Sequence, residues 1–97
     1  MTFEFEWDDV KARVNGQKHG ISFELGATVF YDPRLLTFAD VEHSEGEERW
    51  LSVGCARNGV LLSVVYLWQD TAASIRVRLI SARKATPSEI RYYQTGV

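Results

Sequence analysis

The chain has 97 residues, 45% of them apolar and 25% charged, and a net charge of −2; these are the proportions of one globular domain over 1–97 and exclude a disordered or collagen-like chain. A lone cysteine, Cys55, excludes an internal disulfide framework. With no basic n-region at the start and no apolar run near the ~20 residues that span a bilayer, a cytoplasmic location without membrane attachment is expected.

The charge is unevenly divided. Residues 1–48 carry four basic and eleven acidic side chains, and residues 49–97 carry seven basic and two acidic ones. One expectation is a basic face that meets phosphate or an acidic partner; the other is that the two halves interleave in space and neutralise each other.

Phe3-Glu4-Phe5-Glu6-Trp7 alternates apolar and acidic side chains, the period of a half-buried strand. Asp8 or Asp9 caps the helix that follows, because a carboxylate accepts from free amide groups and meets the positive end of the helix dipole. Val10 and Val14 are expected on one face of that helix, with Lys11, Arg13 and Gln17 on the other, and Gly20 as its left-handed stop. Ser22 offers a second cap, and Phe23, Ala27 and Phe30 mark the buried side of a short helix closed by Asp32-Pro33.

The period then changes to two. Leu35–Ala39 reads as a strand, followed by a polar loop from Glu42 to Glu48. Arg49–Arg57 and Val60–Trp68 form a hairpin about Asn58-Gly59, a two-residue turn in which both central residues take positive φ. That closure predicts Cys55 opposite Leu62, Val53 opposite Val64 and Leu51 opposite Tyr66, all on one face. Ser74–Ala82 is a further strand. Thr86-Pro87-Ser88-Glu89 is a capping box with proline at the first helical position, and the short helix it opens carries Ile90 and Tyr93 inward. The order predicts an α+β fold. Its sheet is twisted and antiparallel with four or five strands, the N-terminal strand joins an edge, two N-terminal helices cover one face, and a short C-terminal helix follows.

Several segments resemble the BrnT toxins of type II toxin–antitoxin systems. They are Phe5-Glu6-Trp7-Asp8, Lys18-His19-Gly20-Ile21-Ser22-Phe23 and Val29-Phe30-Tyr31-Asp32-Pro33 in the first half. In the second half they are Gly46-Glu47-Glu48-Arg49, Val53-Gly54, Val64-Val65-Tyr66 and Arg78-Leu79-Ile80-Ser81-Ala82-Arg83-Lys84-Ala85-Thr86, with Glu89 and Tyr92 behind. The resemblance implies a RelE-like fold and an endoribonuclease that blocks translation. It also implies neutralisation by a BrnA-like antitoxin in a heterotetramer with two copies of each chain, the antitoxin supplying the contact with DNA.

Metal-independent RNA cleavage uses the ribose 2′-hydroxyl as nucleophile, so the enzyme must move protons and stabilise charge on the phosphoryl group. The candidate proton-transfer groups are His19, His43, Glu48 and the tyrosines. His19 is alternatively a helix C-cap, and His43 a solvated loop residue. Glu48 and Arg49 match the family motif as base and phosphate clamp; a cross-strand ion pair is the plainer reading. Arg76 and Arg78 share one strand face, suited to an anion between them or to pairing with the acidic half. Arg83 and Lys84 are expected at an exposed strand end before a helix N-terminus. The catalytic set expected is therefore His19, Glu48, Arg49, Arg78 and Arg83, with Lys18, Arg76, Lys84 and Tyr92 as RNA contacts, Tyr92 by stacking on a base. Neither cofactor nor metal is expected, since two histidines and one cysteine fit no ligand spacing. The alternative is a non-catalytic module that binds an acidic partner or nucleic acid through a basic sheet face.

Overall fold

The structure, a computed structural model, describes residues 2–40 and 48–96. Along the chain run β1 (Thr2–Glu6), α1 (Asp9–His19), α2 (Phe23–Ala27), a 3₁₀ turn (Thr28–Tyr31), β2 (Leu36–Ala39), β3 (Arg49–Cys55), β4 (Leu61–Asp70), β5 (Ser74–Lys84) and α3 (Pro87–Thr95). The expected acidic loop, His43 with it, lies outside the described residues apart from Glu48. The expected caps are present. Asp8 accepts from the N–H groups of Val10 and Lys11 at 2.8 and 3.0 Å, and Ser22 accepts from that of Leu25 at 3.1 Å.

The five strands form one sheet in the order β1-β5-β4-β3-β2. β2 to β5 are an antiparallel meander, and β1 joins the edge parallel to β5, so the sheet is mixed. Ile21, Phe23, Val29 and Phe30 from the helical segments bury against Leu62, Val64, Tyr66, Val77, Leu79 and Ala82 of the sheet. Each Val, Leu, Ile or Phe among them contributes roughly 1.5–3 kcal/mol on burial. Gly54 lets this contact close: a Cβ there would stand 2.6 Å from Leu35 Cδ1 and 3.1 Å from Val29 Cβ.

The hairpin register differs by one residue from the expected one. Cys55 pairs with Leu61, Val53 with Ser63 and Leu51 with Val65. The cause is the turn, which has three residues, Arg57-Asn58-Gly59, bracketed by Ala56 N–H donating to Val60 O at 2.9 Å. Gly59 alone takes positive φ, +86°, while Asn58 does not, the pattern of a three-residue loop with glycine in the left-handed position. Because strand side chains alternate, the shift moves Leu51, Val53 and Cys55 to the face opposite Leu62, Val64 and Tyr66. Val53 is nevertheless fully buried, because α3 covers β3 on that second face.

α1 also departs from expectation. Val10 and Val14 are 59% and 54% exposed, and the helix turns Asn15 inward instead. β1 pairs with β5 only as far as Arg78, which leaves the outer edge of β5 beyond it needing partners. Asn15 supplies both kinds. Its Nδ2 donates to Ala82 O at 2.8 Å and to Ile21 O at 3.0 Å, and its Oδ1 accepts from Ala82 N–H at 3.0 Å. A buried backbone edge demands such satisfaction, and a valine cannot give it. Asn15→Ala should therefore lower unfolding stability by about 3 kcal/mol in urea titrations, beyond the usual cost of trimming a helix side chain; a loss under 1 kcal/mol would show that the edge is held by something else.

α3 contributes no fully buried side chain of its own, and two carboxylates fasten it. At its start Glu89 receives the Arg83 guanidinium fork at 2.8 and 3.0 Å, Ser63 Oγ at 2.7 Å and the Thr86 N–H at 2.8 Å. Near its end Tyr93 donates its hydroxyl to Asp32 at 2.7 Å, and Asp32 also accepts from the N–H groups of Cys55 and Arg34. Burial works to raise the pKa of each carboxyl, and the donors outweigh it. Asp32 is lowered, and Glu89 is lowered to about 2. A carboxyl with a depressed folded pKa stabilises the fold above its unfolded value near 4.5, and that stability is lost as pH falls toward 2. With the pair partly open to solvent, the contribution is on the order of 1–2 kcal/mol. Glu89→Gln should be less stable than the parent at pH 7 by that amount, and the gap should close between about pH 4.5 and 2 in a pH series of unfolding curves. A gap constant across that range would overturn the assignment.

Candidate active site

On the α3 side of the sheet, pairing aligns Arg49, Leu67, Arg78 and Glu6 in one row across β3, β4, β5 and β1. Gln69, Arg76 and Glu4 form the next row. α3 shelters the Val53–Ser63 end of this face and leaves Arg76, Arg78, Glu4 and Glu6 half exposed, whereas the Nε of Arg49 is buried. Glu6, Glu48, Leu67, Gln69, Arg76 and Arg78 line a hollow of about 380 Å³ there.

The expected pairing of Arg76 and Arg78 with the acidic half is what the sheet contains. Parallel β1 sets Glu4 beside Arg76 and Glu6 beside Arg78, each at 3.8 Å, with every side chain 44–57% exposed. Such open pairs are worth about 0–1 kcal/mol, so a phosphate can compete for the same guanidinium groups.

Arg83 reaches this face through a β-bulge. Tyr66 lies opposite Leu79 and Val65 opposite Ser81, so Ile80 is the extra residue on β5. Without it the alternation of side chains would send Arg78 and Arg83 to opposite faces. Arg83 is not at an open strand end, however. Its side chain is 32% exposed and its fork is bound by Glu89, itself 19% exposed. Lys84 is exposed at the end of β5. Tyr92 is also exposed, edge-on to Phe38 at 6.1 Å.

Lys18 and His19 end α1 and line a different hollow, with Val10, Val14 and Ile80. None of the residues lining it lines the Glu48–Arg78 hollow. The fold thus brings together Glu48, Arg76 and Arg78 at one hollow, sets Arg49 in the row of Arg78 two strands away, keeps Arg83 engaged at one end, and sets Lys18 and His19 apart. Sequence reading missed Glu6 and Gln69 as members of the site and missed the second role of Glu89. One signal was available: Glu4 and Glu6 repeat the two-residue spacing of Arg76 and Arg78, as adjacent strands in register require. Among the described residues no three His, Cys, Asp or Glu side chains gather to hold a metal, and no helix is long and apolar enough to cross a membrane.

Comparison with known proteins adds the family. No curated protein matches the chain. The 1.1 Å crystal structure of the Brucella abortus ribonuclease toxin BrnT aligns with 89% of this chain and 99% of that one, with a TM-score of 0.56 and 19% sequence identity; at that identity the likeness is one of fold. The model of a family described as the ribonuclease toxin BrnT of type II toxin–antitoxin systems matches residues 7–89, from Trp7 through Glu89. With most of its length matched, the chain belongs to the BrnT family of ribonuclease toxins of type II toxin–antitoxin systems.

Proposed function

We propose that this chain is a metal-independent endoribonuclease that cleaves RNA in the Glu48–Arg78 hollow, arrests translation, and is neutralised by a BrnA-like antitoxin. The assembly expected is a heterotetramer with two copies of each chain in the cytoplasm, with DNA reached only through the antitoxin. The observation that carries the reading is the hollow itself, where Arg76, Arg78 and Glu48 line one open patch of the sheet face and Arg49 follows Arg78 in the same cross-strand row.

In the mechanism the RNA phosphodiester displaces Glu6 and Glu4 from Arg78 and Arg76, whose guanidinium forks match phosphate oxygens. Glu48 accepts the 2′-hydroxyl proton as that oxygen attacks phosphorus. The 5′-oxygen leaves with a proton from solvent, and a 2′,3′-cyclic phosphate results. Arg49 and Arg78 stabilise the charge that grows on the phosphoryl oxygens, the largest effect available to a site of this kind. Arg83 acts as a positioning residue, because its fork is committed to Glu89. Lys18 and His19 take no part in the chemical step.

Single-turnover cleavage of a defined RNA in excess chelator tests this. Arg78→Ala should slow cleavage about 10²-fold or more, Glu48→Gln about 10²–10⁴-fold, and His19→Ala should cleave at nearly the parent rate. Parent rates in folded Arg78→Ala and Glu48→Gln proteins, or loss of cleavage with chelator, would overturn the mechanism.

A further inference from the structure

A second hollow, of about 350 Å³, opens on the opposite face of the sheet, bordered by Phe30 of the 3₁₀ turn and by Asp70 at the end of β4. Phe3, Trp50 and Trp68 wall it and Tyr66 closes its floor. The rings already pack on one another, Phe3 edge-on to Trp68 at 6.1 Å and Tyr66 tilted against Trp68 at 6.4 Å. The floor offers no free polar group, because the Tyr66 hydroxyl is 2.6 Å from Ser52 Oγ, which in turn lies 3.0 Å from Thr37 Oγ1. Among the described residues the charged groups at the hollow are Glu48 and Asp70, and no lysine or arginine lines it.

Aromatic walls with carboxylates at the mouth select one chemistry. An apolar stem fills the walls, a cation lies against the ring faces, and the carboxylates complete its charge. Phosphate is disfavoured there, since two carboxylates repel it and the arginine rows stand on the other face of the sheet. We propose that this hollow seats an arginine or lysine side chain of the protein antitoxin. The inference rests on the reading of the chain as a toxin held by such a partner, and it adds where the partner grips. Glu48 lines both hollows, so a cation seated in the aromatic one pairs with Glu48 and withdraws it from the RNA side. Neutralisation then follows from a contact made across the end of the sheet, without covering the arginines.

The test is calorimetric titration of the purified cognate antitoxin into the full chain and into two variants, Asp70→Asn and Trp50→Leu. Each variant should weaken binding about tenfold or more, as loss of a desolvated cation contact requires. Free Asp70→Asn toxin, which brings no cation of its own near Glu48, should cleave RNA at the parent rate and stay active at antitoxin concentrations that silence the parent. Parent affinity in Asp70→Asn, a surface change that leaves the core untouched, overturns the proposal even if Trp50→Leu fails to fold. An equal loss of RNA cleavage in free Asp70→Asn makes the hollow an RNA subsite and also overturns it. So does a change in self-association by sedimentation, which would assign the hollow to a second copy, or the absence of any complex with the parent. If the parent binds antitoxin yet cleaves no RNA, the catalytic reading falls while the titrations still decide the docking site.

Discussion

β5 has to satisfy hydrogen bonding along its outer edge with two unrelated partners, and much of the molecule follows from that. Over Ser74–Arg78 the partner is β1, parallel and in register. Beyond the bulge at Ile80 it is the Asn15 amide, reaching from α1 to both polar groups of Ala82. The first arrangement places two glutamates beside two arginines. The second fixes α1 against the sheet by a polar side chain, which is why its valines face water. An edge left open here would expose backbone donors and acceptors to any passing strand.

The bulge between these two regimes has a chemical consequence. It restores Arg83 to the face that carries Arg49, Arg76 and Arg78, so four arginines from two strands end on one side of the sheet. α3 then divides them. Glu89, placed by its own capping box with Thr86, takes the Arg83 fork and the Ser63 hydroxyl. The same residue that starts the helix ties it to the sheet, and the helix shelters one half of the face while leaving the other half open as a site.

The elements were legible in the sequence because their signals are local. The Asp8, Ser22 and Thr86 caps, the Asp32-Pro33 stop and the alternation of β1 depend on neighbours a few residues away, and all are present. What was not legible depends on pairing between distant segments. Asn58-Gly59 signals a turn, yet the turn takes a third residue, and one residue is enough to exchange the faces of Leu51 and Val53. Val10 and Val14 carry the helical period of a buried face, and only the unmet edge of β5 explains why Asn15 displaces them. The bulge at Ile80 has no signature in Leu79-Ile80-Ser81. Lys18-His19 and Arg83-Lys84 read alike as basic pairs at element ends, and nothing near either pair says that one borders exposed valines and the other meets a glutamate.

The uneven charge of the two halves resolves in space by solvent access. β1 carries its glutamates to Arg76 and Arg78, but at 3.8 Å and open to water these contacts are readily exchanged for a phosphate. Glu89 meets Arg83 at 2.8 Å behind α3, with Ser63 and Thr86 completing its shell, and there an incoming anion would have to displace a satisfied network. Two kinds of arginine thus stand on one sheet face, one kind kept soluble by loose neighbours and the other used to hold the fold. That difference, more than the number of positive charges, separates the guanidinium groups open to an incoming anion from the one already committed to the fold.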